Sequence, residues 1–309
     1  MANLRLEFFS LTLTSKIQGE LFSVEEEGQD PASSSSRPEN LMRMLEEAAG
    51  ASVDRLVDGD ISEPESQVAS QTWQILDLAA IESGSLFQLG RVSKRTLPGV
   101  DAGFPPRFTR EAQNIHPYTW AALFPDLGLL VIAEQNELSK TKTAANRLAE
   151  LLRDTPEYRR SKMVLKVKPV KDATDMVEQV RKAHRILKVR LIVGRPNPPR
   201  TDVLIAQPLK VATEALGAGE GQAEFSGGAI RAETLLDLIN DTSTGTGEDV
   251  QVKLEEVAGA RPRWLHLREE PNLAKNVELP PEDSEEAYAG IMEDALAMFE
   301  HVVSLSQKS

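Results

Sequence analysis

The chain of 309 residues is longer than one hydrophobic core usually organises, and its 40% hydrophobic and 27% charged residues are those of an ordinary globular protein. It contains no cysteine, which excludes disulfides, thiolate metal sites and cysteine nucleophiles. Its four histidines form no pair with metal-binding spacing, and its net charge of −13 argues against a surface that attracts nucleic acid everywhere.

Two features of the sequence bear on where the protein works. No stretch approaches the roughly 18 consecutive apolar residues of a membrane span. The first residues also lack the charged and then apolar pattern of a signal peptide. We therefore expect a cytoplasmic protein.

Residues 1–117 predict an N-terminal β-rich module. Alternating apolar residues at 4–13 predict a strand with a bulge, or two short strands, and residues 39–49 a short helix that Gly50 ends. Residues 71–80 and 85–92 predict a hairpin. Residues 98–106 predict a loop that, with the segment up to Pro117, joins this module to the rest.

Residues 118–309 predict an α/β module. The apolar run at 127–133, a helix after Ser139, a strand at 163–168, a helix at 172–185 and a strand at 187–193 give the order β-α-β-α-β, with parallel or mixed pairing. Downstream, the patterns predict helices at 203–216 and 229–239, a strand pair at 249–257 and 263–268, and a long C-terminal helix capped by Ser284. The predicted class is α+β, with mixed β-sheets around the central unit.

The segment 158–200 is strongly basic, with thirteen lysines or arginines against three acids. Lysines at 162, 166 and 168 alternate with apolar residues in one strand, and Lys188 and Arg190 do so in the next, so two strands of one sheet would present one basic face. Such a face would bind phosphates in a salt-dependent way. The predicted nucleic-acid-binding residues are Arg159, Arg160, Lys162, Lys166, Lys168, Arg181, Lys182, Lys188, Arg190 and Arg195.

Alternatives stay open for this segment. Its only aromatic residue is Tyr158, so stacking of single-stranded bases is not expected. The face could instead pair with acids of the chain at 282–294, dock an acidic partner or close a homodimer. Asp249 and Lys253 share a strand as in metal-dependent nucleases, without an upstream carboxylate to complete the site. We predict no catalytic residue, metal site or cofactor.

The sequence Leu187-Lys-Val-Arg-Leu-Ile-Val-Gly-Arg-Pro-Asn-Pro-Pro resembles the bacterial family of unknown function 4747, in which a strand-helix-strand ends in R-P-N-P. The order of elements is also similar to that of the RexA protein of the lambda exclusion system and of KwaB in the Kiwa defence system. This second resemblance implies a DNA-binding, phage-sensing protein with a membrane-protein partner encoded nearby. Together with the basic segment it leads us to expect a non-enzymatic, nucleic-acid-binding sensor of an antiphage-defence or superinfection-exclusion system, and we also expect a homo-oligomer.

Overall fold

The computed structural model describes residues 3–15, 36–57, 72–101, 107–115, 117–135, 138, 140–161, 163–194, 220–227, 230, 232–243, 249–280 and 283–307. The predicted helix at 203–216, the R-P-N-P motif, Lys162 and Arg195 lie outside these residues. No helix in the described ranges is long and apolar enough to cross a membrane.

The larger of two antiparallel sheets contains β1 (Asn3–Ser15), β2 (Thr72–Ile81), β3 (Gly84–Asp101), β4 (Arg107–Ile115), β5 (Tyr118–Phe124), β6 (Leu129–Ala133), β7 (Met163–Pro169) and β12 (Ala274–Glu278). The strand order is β12-β1-β6-β5-β3-β2, with β4 paired to β3 and β7 paired to β1. Because β5 pairs with β3 across residue 117, the two predicted modules share this sheet. The predicted hairpin of β2 and β3 is confirmed, whereas residues 98–101, predicted as loop, extend β3.

Helices cover both faces of the larger sheet. α1 (Ser36–Val57) and α2 (Thr141–Arg153) pack on one face, with the short α3 (Pro156–Arg160) beside α1, and α6 (Glu285–Gln307) packs on the other. α1 does not end at Gly50, because a glycine inside a helix costs only about 0.5–1 kcal/mol and the buried Met44 and Leu45 hold the helix on the sheet. In α6 the predicted stripe is buried at Tyr288 and Phe299.

β1 is one continuous strand whose two halves bury apolar residues on opposite faces, where a bulge or two short strands were predicted. Its even-numbered apolar residues, from Leu4 to Phe8, contribute to the core beneath α6. Its odd-numbered ones, from Phe9 to Leu13, contribute to the core beneath α1 and α2. The change of parity therefore reflects which helices cover each half of the strand, since side chains alternate between the faces of any regular strand.

The smaller sheet contains β8 (Arg185–Gly194), β9 (Glu220–Ser226), β10 (Asp249–Glu255) and β11 (Arg263–His266), in the order β11-β10-β8-β9. α4 (Thr174–Lys182) and α5 (Ala232–Ser243) cover one of its faces. The core between them contains Met176, Ile239, Val189 and Val252. The predicted hairpin of β10 and β11 is confirmed by their antiparallel register.

β7 and β8 lie in different sheets, so the single two-strand basic face is a wrong prediction. β7 pairs with β1, and β8 pairs with β9 and β10. The chain leaves the larger sheet between them. The Val170 N–H still donates to the carbonyl of Phe8 in β1 (2.9 Å), whereas the next N–H, of Lys171, donates to the carbonyl of Ser243 at the end of the helix Ala232–Ser243, which covers the smaller sheet (3.0 Å). The α+β class and the C-terminal helix are confirmed, but the described strands pair antiparallel and not in the parallel or mixed manner expected.

Candidate nucleic-acid interface

The face of the smaller sheet opposite α4 and α5 presents two rows of side chains. The register places Glu224, Arg190, Gln251 and His266 in one row, and Ser226, Lys188, Lys253 and Trp264 in the next. Directly opposite side chains on antiparallel strands have Cβ atoms about 4.5–5.5 Å apart, so neighbours within each row are in reach of one another. We call the surface formed by residues 188, 190, 224, 251, 253, 264 and 266 the basic-aromatic face.

Alternation along the strands explains why these side chains share one face. In β8, Lys188 and Arg190 alternate with the buried Val189 and Leu191. The same alternation in β10 and β11 turns their apolar residues toward α4 and α5 and leaves polar and aromatic residues on the other side. Burial of one face therefore determines the composition of the opposite one.

Arg190 spans this face from β9 to β11. Its Nη2 lies 2.9 Å from Oε2 of Glu224, and its Nη1 donates to Oε1 of Gln251 at 3.3 Å. Its guanidinium carbon lies 5.1 Å from the centroid of the Trp264 ring, within cation–π range. One side chain therefore joins an acid, an amide and an aromatic ring.

Glu224 holds two of the predicted binding cations. Lys188 Nζ lies 2.7 Å from Oε1 of Glu224, while Arg190 contacts the other carboxylate oxygen. These two hydrogen bonds, from Lys188 first and then Arg190, lower the pKa of the Glu224 carboxyl below its usual range, so it is ionised at neutral pH. Lys188 and Arg190 therefore pair with an acid of the same chain, as one of the alternatives in the sequence analysis proposed. The acid is Glu224 of β9 and not one of the acids at 282–294.

Trp264 is the aromatic residue of this face, and its place there was not predicted from the sequence. Residues 158–200 contain no stacking aromatic besides Tyr158, but β11 brings Trp264 to the same surface as Lys188 and Arg190 by pairing with β10. Trp73 and Trp120 are buried, whereas Trp264 is partly exposed. Lys253 Nζ lies 5.9 Å from its centroid, and the His266 ring lies 6.4 Å away at a tilt of 51°. The alternation Trp264-Leu-His266 in the predicted hairpin was the available signal.

The other described candidates lie elsewhere. Lys166 and Lys168 are on β7, opposite Thr12 and Ser10 of β1 in the larger sheet. Arg159 and Arg160 are exposed on α3, and Arg160 pairs with the buried Glu157 at 3.8 Å. Arg181 and Lys182 end α4, where Lys182 pairs with Glu178 at 2.6 Å. The structure therefore brings together Lys188 and Arg190, and adds Lys253 to them.

Asp249, considered for a nuclease site, is buried and engaged by donors of the chain. Its Oδ2 accepts a hydrogen bond from Gln251 Nε2 (3.0 Å), and its Oδ1 accepts one from the Arg268 N–H (3.1 Å). The carboxylate thereby joins β10 to the turn after β11. Within the described ranges, no three His, Asp or Glu side chains are grouped so that they could hold a metal ion. The nuclease hypothesis stays a prediction.

A scan against protein-family models matched no family, and a search of curated proteins found no significant match. The resemblances to family 4747, RexA and KwaB therefore stay predictions.

Proposed function

We propose that the protein is a non-enzymatic sensor that binds single-stranded nucleic acid on the basic-aromatic face. The observation that carries this proposal is the position of Trp264 on one sheet surface with Lys188, Arg190 and Lys253. Stacking of a base on an aromatic side chain contributes about 1–3 kcal/mol, and cations beside the ring can contact the phosphates on either side. The face offers both kinds of contact.

Single strands fit this face better than a duplex. Bases in a duplex are stacked on each other, so an aromatic side chain on a sheet cannot reach their faces, whereas unpaired bases can be splayed onto it. The net charge of −13 also opposes sequence-independent duplex binding, because the basic field is confined to about a Debye length around its own residues. DNA and RNA strands both satisfy these contacts.

The biological role that we propose is phage sensing in an antiphage-defence or superinfection-exclusion system. The support is the resemblance of residues 187–199 and of the element order to proteins of such systems. In this role the protein would act in the cytoplasm as a homo-oligomer with a membrane-protein partner encoded nearby. Plaque counts in bacteria expressing the wild-type protein or the Trp264→Leu variant test this role. Equal plaque counts with both proteins and with an empty vector would overturn it.

Binding is tested by fluorescence anisotropy with labelled oligo(dT) and oligo(rU) of about 15 nucleotides, at about 50 and 200 mM salt. We expect binding that weakens as salt rises, and a loss of about tenfold or more in the Lys188→Glu/Arg190→Glu variant. The matched control is Lys166→Glu/Lys168→Glu, which makes the same charge change on the larger sheet. Absence of binding at low salt, or equal losses in the two variants, would overturn the proposal.

A second candidate function is docking of an acidic protein segment. The observation in its favour is that Lys188 and Arg190 already bind a carboxylate, that of Glu224. A partner with clustered acids, or a second copy of this acidic chain, could present the same group. If poly-glutamate competes with the oligonucleotide at equal charge concentration, or if a dimer seen by size-exclusion chromatography dissociates at high salt, this candidate gains over the first.

A further inference from the structure

The carboxylate of Glu224 occupies the position on the basic-aromatic face that suits a phosphate. One oxygen contacts Lys188 at 2.7 Å and the other contacts Arg190 at 2.9 Å. Lysine and arginine bind two oxygens of a phosphate with the same charge-assisted hydrogen bonds. Glu224 comes from β9, the strand at one end of the smaller sheet's pairing order.

The stacking surface is occupied as well. Arg190, which Glu224 holds on one side, lies with its guanidinium carbon 5.1 Å from the Trp264 centroid. A base that stacks on this ring from the same side must move Arg190, and a phosphate that takes the two cations must move Glu224. The free protein therefore satisfies both contacts with its own side chains.

We propose that Glu224 is a built-in competitor of the nucleic-acid phosphate, so that a strand binds only by displacing this carboxylate from Lys188 and Arg190. The inference rests on the proposed function, because it concerns the same face. It makes Glu224 the residue that sets the affinity of the face. It also predicts selectivity for strands with a base that can stack on Trp264. A strand that contacts only Lys188 and Arg190 replaces one anion by another, whereas a strand that also stacks on Trp264 gains a contact that Glu224 cannot supply.

The ion pairs that Glu224 makes with Lys188 and Arg190 are weak enough for a strand to displace them. The side chains of Lys188, Arg190 and Glu224 are 41%, 33% and 33% exposed, and ion pairs at such accessible positions are weak. A displaced Glu224 would still repel the incoming phosphate. Its carboxyl stays ionised at neutral pH, because Lys188 and Arg190 lower its pKa.

The test is the Glu224→Gln variant, which keeps the size of the side chain and removes its charge. We expect it to bind the labelled oligonucleotides about three- to tenfold more tightly than the wild type. The control is Glu233→Gln on α5, an exposed acid on the helix layer behind the same sheet, which changes the net charge equally. We expect its affinity to stay within about twofold of the wild type.

The outcomes separate this inference from the proposed function. Tighter binding by Glu224→Gln alone, with measurable binding by the wild type at low salt, supports both. Wild-type binding that is equal to or tighter than that of Glu224→Gln, or equal tightening in Glu233→Gln, overturns the inference and leaves the proposed function standing. No binding by any of the three proteins overturns the proposed function and the inference with it.

Discussion

The indole Nε1 of Trp120 donates a 2.8 Å hydrogen bond to Oδ1 of Asp283. The hydroxyl of Tyr118 donates to the other oxygen of the same carboxylate. Two residues of β5 thus hold the residue that precedes the capping Ser284, and the Trp120 ring stacks on Tyr288 with centroids 5.2 Å apart. One carboxylate therefore joins the start of α6 to the larger sheet.

Removal of this carboxylate should destabilise the fold. Trp120 is 3% exposed, so Asp283→Ala leaves a buried indole N–H without its acceptor, and we expect a loss of about 1–3 kcal/mol in the free energy of unfolding measured in urea. The control is Glu285→Ala, which removes an exposed acid of the first turn and should cost less than about 1 kcal/mol. Equal losses in the two variants would contradict the role given to Asp283.

The titration of Tyr118 should report the same contact. The hydrogen bond to Asp283, followed by burial, raises the pKa of Tyr118 to about 12. Because its neutral form is favoured in the fold, Tyr118 contributes stability that is present below its ordinary pKa of 10.0 and is lost as pH rises toward about 12. Tyrosinate absorbance would follow the step, assigned by its disappearance in Tyr118→Phe. In Asp283→Ala this pKa should move down toward its ordinary value, and an unchanged titration would contradict the assignment.

Two glycines should respond in opposite ways to alanine. Gly128 has a φ of +57°, and a Cβ there would lie 2.5 Å from the Leu11 carbonyl oxygen, so we expect Gly128→Ala to cost more than about 1 kcal/mol. Gly50 lies inside α1, where a Cβ meets nothing within 4 Å, so Gly50→Ala should add about 0.5–1 kcal/mol. Thermal unfolding followed by circular dichroism measures both. A loss at Gly50 would mean that α1 does end there.

Thr155 should be important for the short helix α3. Its hydroxyl oxygen accepts a hydrogen bond from the Tyr158 N–H (3.2 Å), and its O–H donates to the Leu152 carbonyl (2.7 Å), so the side chain caps α3 and closes the turn after α2. Thr155→Ala should cost about 1 kcal/mol, and Thr155→Ser, which keeps the hydroxyl, should recover most of that loss. If serine is no better than alanine, packing of the threonine methyl group and not the cap explains the effect.

The sequence predicted those elements whose signals are local. α6 follows from its apolar period and from Ser284, whose Oγ accepts the Ala287 N–H at 3.3 Å. The signals that decide which strands pair are not local in this sense. Alternation in β7 and β8 shows which side chains share a face of each strand, but it does not show that β7 pairs with β1 and β8 with β10.

The candidate interface was partly predictable for the same reason. The alternation within one strand predicted that Lys188 and Arg190 share a face. Trp264 and Glu224 reach them only because β8 pairs with β10 and with β9, and these pairings of distant segments follow from no local pattern. The charge balance of residues 158–200 indicated a basic region. It could not show that the region divides between two sheets.

The contact between Arg190 and Trp264 can be tested without any ligand. Trp264 is the partly exposed tryptophan of the three, so acrylamide should quench its emission while Trp73 and Trp120 stay shielded. Arg190→Ala removes the guanidinium 5.1 Å from the ring, and we expect acrylamide to quench the accessible fraction with a larger quenching constant than in the wild type. Trp264→Phe should abolish that fraction, which assigns it. Acrylamide is preferred to iodide, because Lys188 and Lys253 on the same face would attract an anion. If Arg190→Ala leaves quenching unchanged, the guanidinium does not cover the Trp264 ring in solution. Glu224 would then compete only with the phosphate, and the stacking surface of Trp264 would be open in the free protein.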